Sequence, residues 1–156
     1  MVSDKQFKQA MSQFATGITV VSAEENKEVK GITVNAFMSL SLDPMLIAIS
    51  LQNKANMIQT LENTDQFGIS ILKDDQQEES MIFANQKKPE QPVSFDYVNQ
   101  TPVIPNALVQ IVCEKESVVE AGDHTIVIAK VNEINNDTGK PLIYFGGHYQ
   151  ALNEKL

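Results

Sequence analysis

"GITVNAFMSLSL", residues 31–42, decides how the rest of the chain is read. Ile32, Val34, Ala36, Met38, Leu40 and Leu42 recur at every second position, the period of an extended strand rather than of a helix. The intervening Thr33, Asn35, Phe37, Ser39 and Ser41 carry no charge, and Asp43 is the only charged residue between Gly31 and Leu51. A strand face wetted by bulk water ordinarily carries some Lys and Glu. Something other than water is therefore expected against these hydroxyls and this amide.

Working outward, "GITVVSAE" from Gly17 reads as a strand ending in the polar turn Glu24–Glu25–Asn26–Lys27, so that it and the 31–42 strand form a hairpin. Upstream, residues 3–14 read as a short amphipathic helix capped by Ser3, with Phe7, Ala10, Met11 and Phe14 on one stripe. Downstream, Pro44 in "LDPM" breaks the extended run, and "MLIAISL" (45–51) is short and apolar enough for a strand buried on both faces. A helix is predicted over about 54–61, a strand over 66–72 and a second helix over about 75–85. Pro89, Pro92, Pro102 and Pro105 mark 86–106 as a surface loop. Long strands over 107–120 and 124–134 meet at the corner "AGD", and "PLIYFGG" supplies a last short strand before a polar tail. Six or seven mostly antiparallel strands with two or three short helices make a mainly β Greek-key barrel the expected class. A doubly wound parallel sheet fits poorly because helices do not alternate with strands.

The 156 residues suit one domain able to bury roughly 70% of the surface its unfolded chain exposes. A net charge of −8 argues against a nucleic-acid surface, and all 12 basic residues are Lys. Without Arg, a bound phosphate has to be held by ammonium groups, hydroxyls and backbone N–H. The single cysteine, Cys113, excludes an internal disulfide and thiolate-rich metal sites. It alternates with Val109 and Ile111 as an inert buried thiol would. No metal site is expected. No signal-peptide core opens the sequence and no run of about 18 apolar residues occurs, so a cytoplasmic protein without membrane contact is expected.

A helix dipole favours acids in its first turn, and two of the three predicted helices carry them, at Asp4 and at Asp74–Asp75. The third begins Asn53–Lys54–Ala55–Asn56 with no acid before Glu62, a place where an anion is stabilised. Taken alone, the helix start is accounted for better by Asn53 as a cap and Lys54 as a solvated side chain; the neighbouring uncharged strand is what shifts the reading. A ligand with a phosphate at this helix and a planar, hydrogen-bonding body against Thr33, Asn35 and Ala36 accounts for both oddities.

"FATGITVVS", "GITVNAFMSLSLDP", "IAISL", "FGISIL" and "GDHTIVIAKV" resemble the flavin reductase-like domain, in the short form similar to the small component of two-component 4-hydroxyphenylacetate monooxygenases. The likeness runs from about Phe14 to Tyr149. It implies that residues 1–156 form one FMN-binding split β-barrel, which dimerises with flavin at the subunit interface. Carried onto this chain, the resemblance places the isoalloxazine ring against Thr33, Val34, Asn35 and Ala36, and the ribityl and phosphate near Ser50, Leu51, Lys54 and Asn56. It makes His124 the catalytic candidate, in contact with nicotinamide or flavin, although a half-buried corner histidine satisfied by backbone reads equally. His148 and Tyr149 become candidates for a wall of the nicotinamide site, Tyr149 serving equally as a structural aromatic at the barrel end. The implied activity is reduction of FMN or FAD by NADH, with the reduced flavin passed to a separate monooxygenase. Two alternatives stand beside it: a flavin-holding electron carrier or redox sensor without nicotinamide turnover, and a ligand-free interaction module.

Overall fold

The computed structural model describes residues 1–154 and Leu156. Along the chain run α1 (Asp4–Met11), β1 (Thr16–Gly17), β2 (Thr19–Glu25), β3 (Glu28–Val34), β4 (Phe37–Leu42), β5 (Met45–Gln52), α2 (Asn56–Asn63), β6 (Gln66–Ile71) and α3 (Gln77–Phe83). The short β7 (Asp96–Val98) and β8 (Thr101–Val103) follow, then the long β9 (Val109–Ala121) and β10 (His124–Asn136), and finally β11 (Leu142–Phe145) and β12 (His148–Ala151). Among the described residues no helix is long and apolar enough to cross a membrane.

Seven strands form one antiparallel sheet in the order β3-β2-β6-β9-β10-β5-β4. Its two edge strands, β3 and β4, are consecutive in sequence and separated only by Asn35 and Ala36. The steps from Val34 to Phe37 span at most about 11 Å, whereas the outer strands of a flat sheet of this width lie about 29 Å apart. The sheet therefore curls into a barrel. No ladder joins β3 to β4, so the barrel is split along a seam at Asn35–Ala36.

This seam corrects the expectation of one uninterrupted strand over 31–42. Ile32 and Val34 belong to the barrel core, but the break shifts the alternation by one residue. Phe37 then packs on that core, leaving Met38, Leu40 and Leu42 exposed. A further irregularity falls at Leu40, between the pairs Ser39–Ile47 and Ser41–Leu46.

The interior is filled by alternate residues: Ile47, Ile49 and Leu51 from β5, Phe67 and Ile69 from β6, Ile111 and Cys113 from β9, Val127 and Ala129 from β10. Burial of β5 is confined to 47–49 and Leu51, which corrects the expectation of burial on both faces over 45–51: Met45 is exposed at the sheet end and Ser50 borders open space on the outer face. A second cluster, with Ile18, Val20, Leu72, Ile104 and Leu142, lies outside the barrel under a three-stranded sheet of β1, β11 and β12. β2 is covered on both faces, Val21 facing the first cluster and Val20 the second.

The loop expected over 86–106 contains the β7–β8 hairpin, whose turn at Asn99–Gln100 takes positive φ angles of 45° and 63°. Its second strand presses on the barrel wall. The Ser22 hydroxyl donates to Pro102 O at 2.6 Å and Ser70 Oγ accepts from Ile104 N at 2.8 Å, so both buried hydroxyls are satisfied by the returning segment. Gly68 leaves room for it: a Cβ there would lie 2.4 Å from Pro102 O. The expected polar tail also holds a strand, β12, paired with β11. The α1 reading holds for its start, where Ser3 and Gln6 form a reciprocal capping box, but the helix ends at Met11 and leaves Phe14 of the expected stripe beyond it.

Candidate functional site

The seam leaves backbone groups without ladder partners. Ala36 O accepts from Ser50 N at 3.0 Å and Asn35 O from Phe37 N at 3.0 Å. The N–H groups of Asn35 and Ala36 donate to nothing among the described residues, and both residues are exposed. Adjacent free donors of this kind suit an acceptor edge on a ligand.

Beside the seam lies a chamber of about 380 Å³ between β3, β5, α3 and the start of β10, lined by Asn35, Ala36, Ser50, Gln52, Phe83 and His124 among others. It opens past Gln52, Ala55 and Phe83 into a second space of about 540 Å³ that reaches Lys30, Lys54 and Asn56. Phe83 packs closely on β3 because position 31 is glycine, where a Cβ would stand 2.6 Å from its ring. The Thr33 hydroxyl donates to Ser80 O at 2.7 Å, fixing α3 over β3. The Thr33 hydroxyl is thus engaged by helix α3, while the residue also lines the chamber.

The far end of the cleft departs from expectation. α2 begins at Asn56, not near Lys54, and its N-cap is Ala55 with no side-chain bond. Asn53 is engaged elsewhere: its N–H donates to Asp123 O at 3.0 Å, its Nδ2 to Gly122 O at 3.3 Å, and its Oδ1 accepts from the Thr125 hydroxyl at 2.8 Å. Asn53 thereby straps the β9–β10 corner to the end of β5 and brings His124 near Lys54. The first turn of α2 holds no acid, as expected, and Lys54 makes no ion pair among the described residues. His124 is not satisfied by backbone: its Nδ1 lies 2.7 Å from Asp123 Oδ1 with the side chain 38% exposed. The imidazole beside Asp123 holds that carboxyl below its ordinary pKa, with a smaller contribution from Lys54.

A family model described as "Flavin reductase like domain" matches residues 11–153. The chain belongs to this family. As a flavin reductase-like chain it is 34% identical to an NADH-dependent flavin reductase of a Rhodococcus species, over 97% of this chain and 88% of that one. It is 35% identical to the reductase component of 4-hydroxyphenylacetate 3-monooxygenase from Thermus thermophilus, over 94% and 95%. Among solved structures, the flavin reductase PheA2 superposes with a TM-score of 0.95 at 40% identity, covering 98% of this chain and all of that one. The fold is the family's antiparallel split barrel.

Within this flavin reductase-like fold, Thr33, Val34, Asn35, Ala36, Ser50, Leu51 and His124 line the first chamber, and Lys54 and Asn56 the second. The side chains of Val34 and Leu51 are buried in the barrel core, so what they offer the cleft is backbone. Tyr149 lines neither chamber. It stands behind α3 with its hydroxyl 2.9 Å from Ser80 Oγ and its ring edge-on to Tyr144, and His148 is exposed. Gln52, Phe83, Asn85 and Lys30 line the cleft and were not singled out from sequence. The glycine inside the 28–34 strand was the available signal for Phe83, since it marks a close approach.

Proposed function

We propose that this chain is an NADH-dependent flavin reductase that binds FMN or FAD in the two-chamber cleft and supplies reduced flavin to a separate monooxygenase. The observation that carries the reading is the cleft itself, in a chain of this family: two unpartnered amide donors at Asn35–Ala36 at one end and an unpaired Lys54 at the other. A flavin mononucleotide fits that polarity, with the acceptor edge of its ring toward the seam and its phosphate toward Lys54, Asn56 and the uncapped start of α2.

When bound, the flavin supplies the hydride-accepting chemistry. The residues of the chain position and tune it. The Asn35 and Ala36 N–H groups stabilise negative charge accumulating along the ring edge. Phe83 and α3 wall the ring from water. His124, oriented through Nδ1 by Asp123, keeps its Nε2 free to hold or deliver a proton beside the ring. Ser50 and the backbone of Leu51 flank the ribityl chain. The Tyr149 hydroxyl acts one step removed, fixing α3 through Ser80.

In this reading residues 1–156 work as one cytoplasmic domain and pair as a homodimer with flavin at the interface. Support comes from the apolar side chains left outside both cores, Phe14, Met38, Leu42 and Met45 among them. The absence of Arg supports NADH over NADPH, whose extra phosphate has no guanidinium to meet it.

The test is anaerobic NADH oxidation by the purified chain with FMN, FAD and riboflavin side by side. Turnover well above the flavin-only rate is expected with at least one of them. A chain that retains stoichiometric flavin yet oxidises NADH no faster than free flavin would be a carrier. A higher kcat/KM with NADPH than with NADH would refute the nucleotide preference.

A further inference from the structure

The tip of the β9–β10 hairpin is held from few sides. β6 pairs with β9 only as far as Glu114, so residues 116–121 have a ladder on the β10 side alone. The β5–β10 ladder in turn ends at the pair Gln52–His124. Ala121, Gly122 and Asp123 are exposed. His124 therefore stands at the last rung of a ladder, where strands open most readily.

Asn53 continues the hold past that rung. Its N–H donates to Asp123 O at 3.0 Å, its Nδ2 to Gly122 O at 3.3 Å, and its Oδ1 accepts from the Thr125 hydroxyl at 2.8 Å. These bonds grip the chain on both sides of His124 and leave the imidazole itself untouched. Asp123, whose carbonyl Asn53 holds, meets Nδ1 of His124 with its carboxylate at 2.7 Å. The connection from Asn53 to the ring thus runs through the backbone and carboxylate of Asp123. It is made at the expense of α2. Asparagine is among the best N-caps and alanine among the poorest, yet Ala55 caps α2 without a side-chain bond while Asn53, two residues earlier, turns to the corner. A local preference set aside in this way marks a position where the site outweighs the helix.

We propose that Asn53, with the Thr125 hydroxyl, is a positioning residue of the reductase: it fixes the Asp123–His124 pair over the chamber and acts on turnover only through His124. The inference rests on the flavin reductase reading above. Without the grip, the corner carries the imidazole away from the chamber that it lines beside Ser50 and Gln52. A flavin then still binds, but the group that holds or delivers the proton is seldom in place.

The experiment is a double-mutant cycle on anaerobic reduction of FMN at saturating NADH. Asn53→Ala is expected to slow the wild-type chain about three- to tenfold, the scale of one neutral hydrogen bond, and His124→Ala to slow it by more. Added to His124→Ala, Asn53→Ala should change the rate by less than about 1.5-fold, because the group it positions is gone. Thr125→Val, which removes only the bond to Asn53 Oδ1, should slow reduction about two- to fivefold, and Thr125→Ser should keep the wild-type rate. Kd for FMN, read by fluorescence quenching, should stay within about twofold in the Asn53 and Thr125 variants, so that the loss falls on kcat. Should Asn53→Ala lose structure, Thr125→Val takes its place in the cycle. Losses that add in the double variant overturn the proposal, as does a wild-type rate in His124→Ala or in a folded Asn53→Ala, or a loss confined to FMN affinity. A wild-type chain that does not oxidise NADH overturns the flavin reductase reading as well.

Discussion

Replacing Lys54 with Gln isolates the part of the cleft that was read as a phosphate site. Lys54 is exposed and has no ion partner among the described residues, so removing it breaks no internal bridge and leaves no buried charge behind. A unit charge about 4 Å from a phosphate carrying about 1.5 to 2 negative charges is worth about 1.5 to 2 kcal/mol in a water-like dielectric. That corresponds to about 12- to 30-fold in Kd for FMN at low salt. At 0.15 M salt the Debye length of about 8 Å trims the interaction by about 40%, leaving about five- to eightfold. Riboflavin, which has the same ring and no phosphate, should bind wild type and Lys54→Gln equally. Fluorescence quenching titrations of both flavins at 20 mM and 150 mM salt, concentrations of order the Debye regimes above, supply the comparison. An FMN affinity that ignores the substitution refutes the reasoning, and so does an equal loss for riboflavin, which would mean that the substitution had disturbed the cleft itself.

Other expectations concern the scaffold. Gly68→Ala pushes a methyl to 2.4 Å from Pro102 O, a backbone atom with nowhere to go. A loss of about 2 to 3 kcal/mol and a fall in Tm of about 4 to 12 °C are expected, and a Tm within about 1 °C of wild type would contradict the close approach. Cys113 is fully buried, and desolvation raises its pKa to about 12, so the native protein should resist a thiol reagent at pH 8 that labels it readily in urea. The bond from Asn63, with help from Thr60 and Lys30, holds the Glu25 carboxyl below its ordinary value of 4.5. A depressed folded pKa contributes stability that is present above the unfolded value and lost as pH falls through the folded one. Urea midpoints for wild type should therefore fall more steeply below pH 4.5 than those for Glu25→Gln, and parallel curves would rule the contribution out.

What the sequence made legible was local. The β2–β3 hairpin could be placed because the polar turn Glu24–Glu25–Asn26–Lys27 separates two strand patterns, and in it Asn26 and Lys27 take positive φ angles of 54° and 65°. The β9–β10 corner could be placed because Gly122 takes φ of 65°. Alternation located β5, β6, β9 and β10, and the missing acid located an unusual helix start. The rest depended on residues distant in sequence. The phase shift at Asn35–Ala36 follows from barrel closure, which the pattern 31–42 does not encode by itself. α2 starts late because Asn53 bonds Asp123, Gly122 and Thr125 some 70 positions away, and no short window contains both partners. Prolines hid the β7–β8 hairpin, yet Pro102 is tolerated in a strand paired only with β7. In the same way, Tyr149 has the composition of a site residue and the surroundings of a strut.

The seam has a consequence for how the barrel breathes. Strands β3 and β4 each have a ladder on one side only, whereas β6 and β9 are flanked on both. Amide deuteration should therefore enter first at the two lips on either side of Asn35–Ala36 and last at the opposite wall. A guest lodged across those lips would act as a clasp, slowing uptake there while barely altering it in β6 and β9.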